Sequence, residues 1–408
     1  MLNRLFPDRG LPLFSTFFVW SVGSGSMQLA RPLFAASFGV PVFLVALITA
    51  SNAMARLIAA PITGVLVDRF GRRPLVVVGA LLRGLSALAI FFCDSYEQFL
   101  VLEFLGGVDI SVFNTGASVI IADVSSPQNR GRAVALRTTS LRLGQVSGPL
   151  FGTLIAVAFG LRAVFLFNAA TKLLTLVMVY LMIGETQPER PPQRADRPKE
   201  KLDLSPFMTK GFVAVMLSTL AINMAGGGGA FQAVFPLHAA EVAHMGIGDI
   251  GNMITLAGLI AFLIAYPNGM LVDKFGRKVT LIPGLVVLGL GVALLAGAES
   301  YAMIVLAVAL VGVGEGASMG TSQVYAMDLA PADRRGAFLG VWSFFQSLGG
   351  VIAPLLVGVV ATGLGYGAAF NAVALCVGAS ALLMLWWGPE TGSTPPKPAG
   401  VESAPAGS

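Results

Sequence analysis

The sequence predicts an all-α polytopic membrane protein of about twelve spans arranged as two similar halves. Three observations carry this. The 408 residues are 55% hydrophobic and only 12% charged, where a soluble domain carries about 25% charged residues. The apolar residues fall in repeated stretches of roughly 20, the length that crosses a bilayer as helix. Sequence elements also recur in order at one fixed offset.

Lipid offers no hydrogen-bond partners to the backbone, so only helices and closed barrels survive in it. These runs lack the alternation of barrel strands, which leaves helices. Spans are expected near 11–36, 41–67, 73–92, 97–122, 131–159 and 162–184, and again near 207–238, 247–272, 278–297, 301–326, 334–361 and 366–387. Arg4 and Arg9 ahead of an apolar run imitate a signal peptide. The apolar pattern continues to Trp387, so the first run reads as a span. The expected division is a bundle over 1–184, a charged, Pro-rich linker over 185–206, a second bundle over 207–388 and a disordered cytoplasmic tail over 389–408.

Lys and Arg set the orientation. With a cytoplasmic N-terminus, that side receives Arg69, Arg72, Arg73, Arg130, Arg132, Lys274, Arg277, Lys278, Arg334 and Arg335. The other side keeps Arg31 and Arg162 at its loops. That bias predicts both termini in the cytoplasm. The net charge of +5 sits in short turns, never on one continuous face, which argues against nucleic acid as a partner. Cys93 and Cys376 lie in different apolar segments and read as packing thiols.

The duplication runs at an offset of 205 residues. GVLVDRFGRR begins at Gly64 and GMLVDKFGRK at Gly269. Asp123 recurs as Asp328, Arg130–Gly131 as Arg335–Gly336, Pro149 as Pro354 and Glu185–Thr186 as Glu390–Thr391. Two halves in one orientation imply a pseudo-twofold along the membrane normal with a pathway between them. At these residues the chain resembles the major facilitator superfamily over nearly its whole length. The signature loop G-x-x-x-D-R-x-G-R-R is complete at Gly64–Arg73 and close to complete in the second half. The resemblance implies two pseudo-symmetric six-helix bundles around a central cavity. It further implies a cytoplasmic gate built from Asp68, Arg69, Gly71, Arg72 and Asp123, with Asp273, Arg277 and Asp328 as its counterpart. In it, Asp68 would meet the start of span eleven, and Arg72 would pair with Asp123.

Ionisable residues near the bilayer centre are functional candidates by default. Those singled out within the spans are Arg56, Arg83, Glu103, Asp109, Arg142, Lys172 and Glu315. By the family's map, spans one, four, seven and ten line the cavity. Asp109, Glu103 and Glu315 then become the proton-coupling candidates, and Gln28, Arg56, Arg142, Asn223 and Gln232 the substrate-cavity candidates. Arg83 and Lys172 are expected to pair within one half. At 1.5 Å per residue, Arg83 lies about 13 Å and Asp109 about 20 Å from the same side, so the two are within reach of an ion pair. Family antiporters carry an arginine in span four in a pattern like R-F-L-Q-G. Here the stretch is Glu103-Phe104-Leu105-Gly106-Gly107, an acid in its place.

Span five holds Gly144, Gly148, Pro149 and Gly152, resembling the antiporter gating motif, although small residues also serve plain helix packing. Four glycines, Gly226 to Gly229, interrupt span seven, and both a broken helix and close packing fit them. His238 and His244 flank Glu241 at its outer end. A metal site is not expected there, and titration of an outer gate competes with ordinary loop polarity. No cofactor or nucleophile–base pair is read, so the chain is not expected to be an enzyme. The resemblance implies a secondary transporter that moves a small organic solute by alternating access, with proton-coupled export by antiport preferred. An uncoupled uniporter or translocator of lipid-like amphiphiles stays open, and so does a non-transporting membrane sensor. Its setting is expected to be a bacterial inner membrane. Protons, lipid and a small-molecule substrate are the expected partners of a monomer.

Overall fold

In a computed structural model, residues 10–124, 130–183, 209–226, 229–330 and 335–391 are described. The expected linker and most of the tail lie outside them. The described part is helical: α1 (Gly10–Ala36), α2 (Val42–Phe70), α3 (Arg72–Phe91), α4 (Tyr96–Val124), α5 (Arg130–Phe159) and α6 (Leu161–Met182) form the first bundle. The second holds α7 (Lys210–Ala225), α8 (Ala230–Ala233), α9 (Phe235–Glu241), α10 (Ile247–Phe275), α11 (Arg277–Leu295), α12 (Tyr301–Leu329) and α13 (Arg335–Trp387). Among the described residues, ten stretches are long and apolar enough to cross a membrane. The longest, Phe338–Trp387, breaks at Gly365, whose φ of 85° no helix accommodates. Counting that break and the 27-residue α1 gives the twelve expected crossings. The glycine run does break span seven: α7 ends at Ala225 and α8 starts at Ala230.

The internal repeat is visible in the backbone. Gly71 and Gly276, one offset apart, join α2 to α3 and α10 to α11 at φ 91° and 92°. Only glycine enters that region without a steric cost, and the reversal lets the next helix begin at the following residue. Gly160 and Gly365 repeat the device at the opposite end, at φ 86° and 85°.

The two ends of the molecule differ. At the end carrying the Gly160 and Gly365 turns, the halves are locked together. Phe43 N–H donates to Thr362 Oγ1 at 3.0 Å. A Cβ on Gly358 would lie 2.8 Å from Ala46 Cβ, and one on Gly251 would collide with Thr153 Oγ1. A single buried cluster crosses between the halves there, from Phe34, Ile48 and Phe165 to Phe231, Phe235 and Val357. Towards the Gly71 and Gly276 turns the same helices separate. Ile58, Ile62 and Val65 of α2 and Phe344 of α13 are exposed, and a Cβ on Gly64, Gly269 or Gly340 would meet nothing within 4 Å.

Candidate functional site

Two adjoining cavities lie between the halves. One, of about 260 Å³, is polar and bounded largely by α1–α4, with Arg31, Asn52, Arg56 and Arg83 on its wall. The other, of about 270 Å³, is more apolar and runs to α8, α10 and α12, with Arg142, Phe231, Ile254, Phe262, Glu315 and Met319 on its wall. Gln28, Leu141, Gln145 and Gln232 border both, so the two cavities adjoin at these side chains.

The polar cavity is organised by one acid. Glu103 of α4 is fully buried. Its Oε2 accepts from Arg31 Nε at 3.0 Å and from Asn52 Nδ2 at 3.1 Å, and its Oε1 accepts from Arg83 Nη2 at 3.4 Å. Asn52 also donates to the Glu103 carbonyl at 2.8 Å. One carboxylate thus ties four helices together. Two neighbouring small residues permit it: a Cβ on Gly106 would overlap Arg83 Nη1, and one on Gly107 would lie 2.3 Å from the Asn52 carbonyl. Span four lacks the arginine of the family pattern, but α1 and α3 bring two guanidiniums to the acid that replaces it.

This arrangement corrects two expectations. Arg31 is not a loop residue: it sits inside α1, one turn from Gln28 on the same helix face, and points at Glu103. Arg83 does not pair with Asp109 but with Glu103. Counting residues along each span constrained height above the membrane surface but said nothing of rotation about the helix axis. Glu103 and Asp109 are six residues apart, which turns them to different sides of α4. Asp109 is buried, accepts from Ser86 Oγ at 3.2 Å and lines neither cavity.

The other candidates divide likewise. Glu315 lines the apolar cavity and abuts the break in span seven, where a Cβ on Gly226 would lie 2.8 Å from its Oε2. Gln28, Arg56, Arg142 and Gln232 line the cavities, while Asn223 turns back to the Thr219 carbonyl at 2.9 Å and lines neither. Lys172 stays within the first half, donating to the Trp20 carbonyl and to Ser24 Oγ and resting 3.9 Å over the Trp20 ring. His238 meets the Ala298 carbonyl and the edge of the Tyr366 ring, and Glu241 accepts from Tyr366 Oη. Among the described residues no cluster of His, Cys, Asp and Glu is suited to a metal. Both cysteines are free, Cys93 buried and Cys376 exposed. Sequence reasoning missed Arg31 and Gln145, each three residues after a chosen candidate, Gln28 and Arg142, and so on the same helical face.

At the signature loops, Arg72 Nε meets Asp123 Oδ2 at 3.2 Å and Arg277 Nε meets Asp328 Oδ2 at 2.7 Å, each pair within one half. Thr391 Oγ1 reaches Asp328 at 3.3 Å, and Glu390 accepts from Lys278 N–H at 3.3 Å. Asp273 and Arg69 are exposed, and the side chain of Asp68 lies outside what is described. In α5, Gly144, Gly148 and Gly152 face α1 of the same half: a Cβ on them would lie 2.5 Å from Ser21 Cβ, 2.5 Å from the Val22 carbonyl and 2.9 Å from Ser26 Cβ. Pro149 is buried between them, its carbonyl accepting from Thr153 Oγ1 at 2.7 Å.

The family model described as Major Facilitator Superfamily matches residues 13–248 and 212–408. The chain belongs to the major facilitator superfamily. It is a multi-pass membrane protein of a transporter family, not an enzyme. Among facilitators, it is 26% identical over 386 residues to Multidrug resistance protein 1 of Bacillus subtilis (strain 168), covering 92% of this chain and 96% of that one. It is also 26% identical over 379 residues to the multi-drug resistance efflux pump PmrA of Streptococcus pneumoniae serotype 4, covering 91% and 90%. The fold matches a solved D-xylose-proton symporter at a TM-score of 0.76 and 18% identity, over 94% of this chain and 98% of that one.

Proposed function

We propose that the chain exports a small organic solute by alternating access, driven by proton antiport, as a monomer in a bacterial inner membrane with both termini cytoplasmic. The observation that carries this is the shape of the central space. It is sealed at one end by contacts between the halves and open towards the end with the basic signature loops. By the positive-inside bias the open end is cytoplasmic, so this is the inward-facing state, ready to load from the cytoplasm. The names of the relatives, a multidrug resistance protein and an efflux pump, support export.

Glu315 supports coupling. It is an acid on the cavity wall beside the break in span seven, where a proton and a substrate can compete for one site. Glu103, tied to two arginines, acts as the joint of the first half, and Asp109 stands behind it, off the cavity. We assign the first bundle to 1–184 and the second to 207–388.

The test is transport in proteoliposomes loaded with a pH dye, comparing wild type with Glu315→Gln, Asp109→Asn and Glu103→Gln. Proton movement on addition of a substrate, abolished by Glu315→Gln while binding survives, is the expected result. Substrate crossing without proton flux in wild type and all three variants would leave the uncoupled uniporter or amphiphile translocator as the function.

A further inference from the structure

Counted along the sequence, basic and acidic residues in the spans nearly balance. The structure sorts them by what they already hold. Lys172 is consumed by the Trp20 carbonyl, Ser24 and the Trp20 ring. Arg31 and Arg83 share the one carboxylate of Glu103, a group of three that keeps one positive charge on the cavity wall. Asp109 is turned to Ser86, away from the cavities.

Two further cations face the space. Arg56 is exposed into the polar cavity and, among the described residues, makes no hydrogen bond or ion pair. Among the described residues, Arg142 reaches only Met319 Sδ at 3.0 Å, a weak acceptor for a guanidinium. Against these stands Glu315, at the other end of the space. A guanidinium inside a membrane protein without an anion is costly, and its fixed fork matches carboxylate, sulfonate and phosphate oxygens. The apolar cavity next door offers Phe231, Ile254, Phe262 and Met319.

We infer that the substrate is an amphiphilic organic anion. Its acidic group docks in the polar cavity on Arg56 beside Arg31, and its apolar body extends past Gln28 and Gln232 into the apolar cavity. Arg142, on the wall of that second cavity, adds to the positive field. This rests on the transport reading above and names its substrate class.

The experiment is calorimetric titration of the full-length chain in detergent with three probes of one scaffold: naphthalenesulfonate, naphthylmethylammonium and naphthylmethanol. The sulfonate is expected to bind at least about tenfold more tightly than the ammonium, a modest return for hydrogen bonds to a charged group. Arg56→Gln should weaken the sulfonate by about tenfold or more and leave naphthylmethanol within about twofold, while Arg56→Lys, which keeps the charge, restores most of the affinity. Unchanged binding of naphthylmethanol shows that the variant is folded. Tighter binding of the ammonium, or failure of all three probes to bind, overturns the inference. So does sulfonate binding that neither Arg56→Gln nor Arg142→Gln alters. An ammonium that moves protons in proteoliposomes while the sulfonate does not bind would leave the transport reading standing and sink the charge assignment alone.

Discussion

Glu103→Gln probes the joint of the first bundle. The substitution keeps size and one acceptor oxygen but removes the charge that faces two guanidiniums. Glu103 is fully buried, Arg83 is 1% exposed, and the carboxylate meets Arg31 at 3.0 Å and Arg83 at 3.4 Å. Removing one partner of a buried ion pair costs about 3–5 kcal/mol, because the other charge is left uncompensated. Arg31 borders the cavity and recovers part of this by turning to water, which brings the expected destabilisation to about 2–4 kcal/mol. At about 2–4 °C per kcal/mol for a unit of about 180 residues, the melting point should fall by roughly 4 °C or more. The assay is thermal unfolding in detergent, monitored by a thiol-reactive dye on buried Cys93 in a Cys376→Ser background, which removes the exposed thiol. A double-mutant cycle with Arg31→Gln isolates the pair, and a coupling of about 1 kcal/mol or more is expected. A melting point within about 1 °C of wild type together with no coupling would refute the idea that the clamp holds the bundle.

Gly106→Ala should damage the same joint from behind. Its methyl overlaps Arg83 Nη1, so Arg83 must leave Glu103 at a cost of about 1–3 kcal/mol, read as a lower melting point that a matched Gly378→Ala, in open space, does not show. By contrast, Arg72→Ala should cost no more than about 1 kcal/mol in stability, because Asp123 is exposed and its pair is solvent-screened. In a chain whose two cysteines are replaced by serine, Ile58→Cys should react with a membrane-impermeant maleimide from the signature-loop side, and Ala46→Cys, buried at the sealed end, should not. Equal labelling of both would refute the one-sided opening. Gly358→Leu should wedge that sealed end apart, since even a Cβ there lies 2.8 Å from Ala46 Cβ, and raise labelling of Ala46→Cys from the opposite side.

The fold was legible because bilayer length, backbone self-sufficiency and the duplicated signature loops each constrain it independently. Gly71 and Gly276 even announce the helix reversals between α2 and α3 and between α10 and α11. Rotation about each helix axis was less legible. A span with a hydrophobic surface on every side carries little amphipathic signal, so nothing local told Asp109 from Glu103 as the residue facing Arg83. Arg31 was misplaced for a related reason. It lies near the end of a long helix, where a charge count cannot tell a loop cation from a buried one, whereas the three-residue spacing from Gln28 could have. Span seven was the reverse case: its four glycines marked the interruption without saying that Glu315 would lie against it.

The clamp has a mechanical consequence. Through Glu103, helices α1, α2, α3 and α4 are cross-tied by ion pairs and by a hydrogen bond from the Asn52 amide. In the second bundle the first span is instead interrupted, with α7 stopping at Ala225 and α8 resuming at Ala230. The two jaws of the machine therefore differ in stiffness, although their backbones are copies of one design. We expect the first to keep its shape through the cycle and the second to take up more of the movement. Ancestral symmetry built the frame, and unequal rigidity tells its two sides apart.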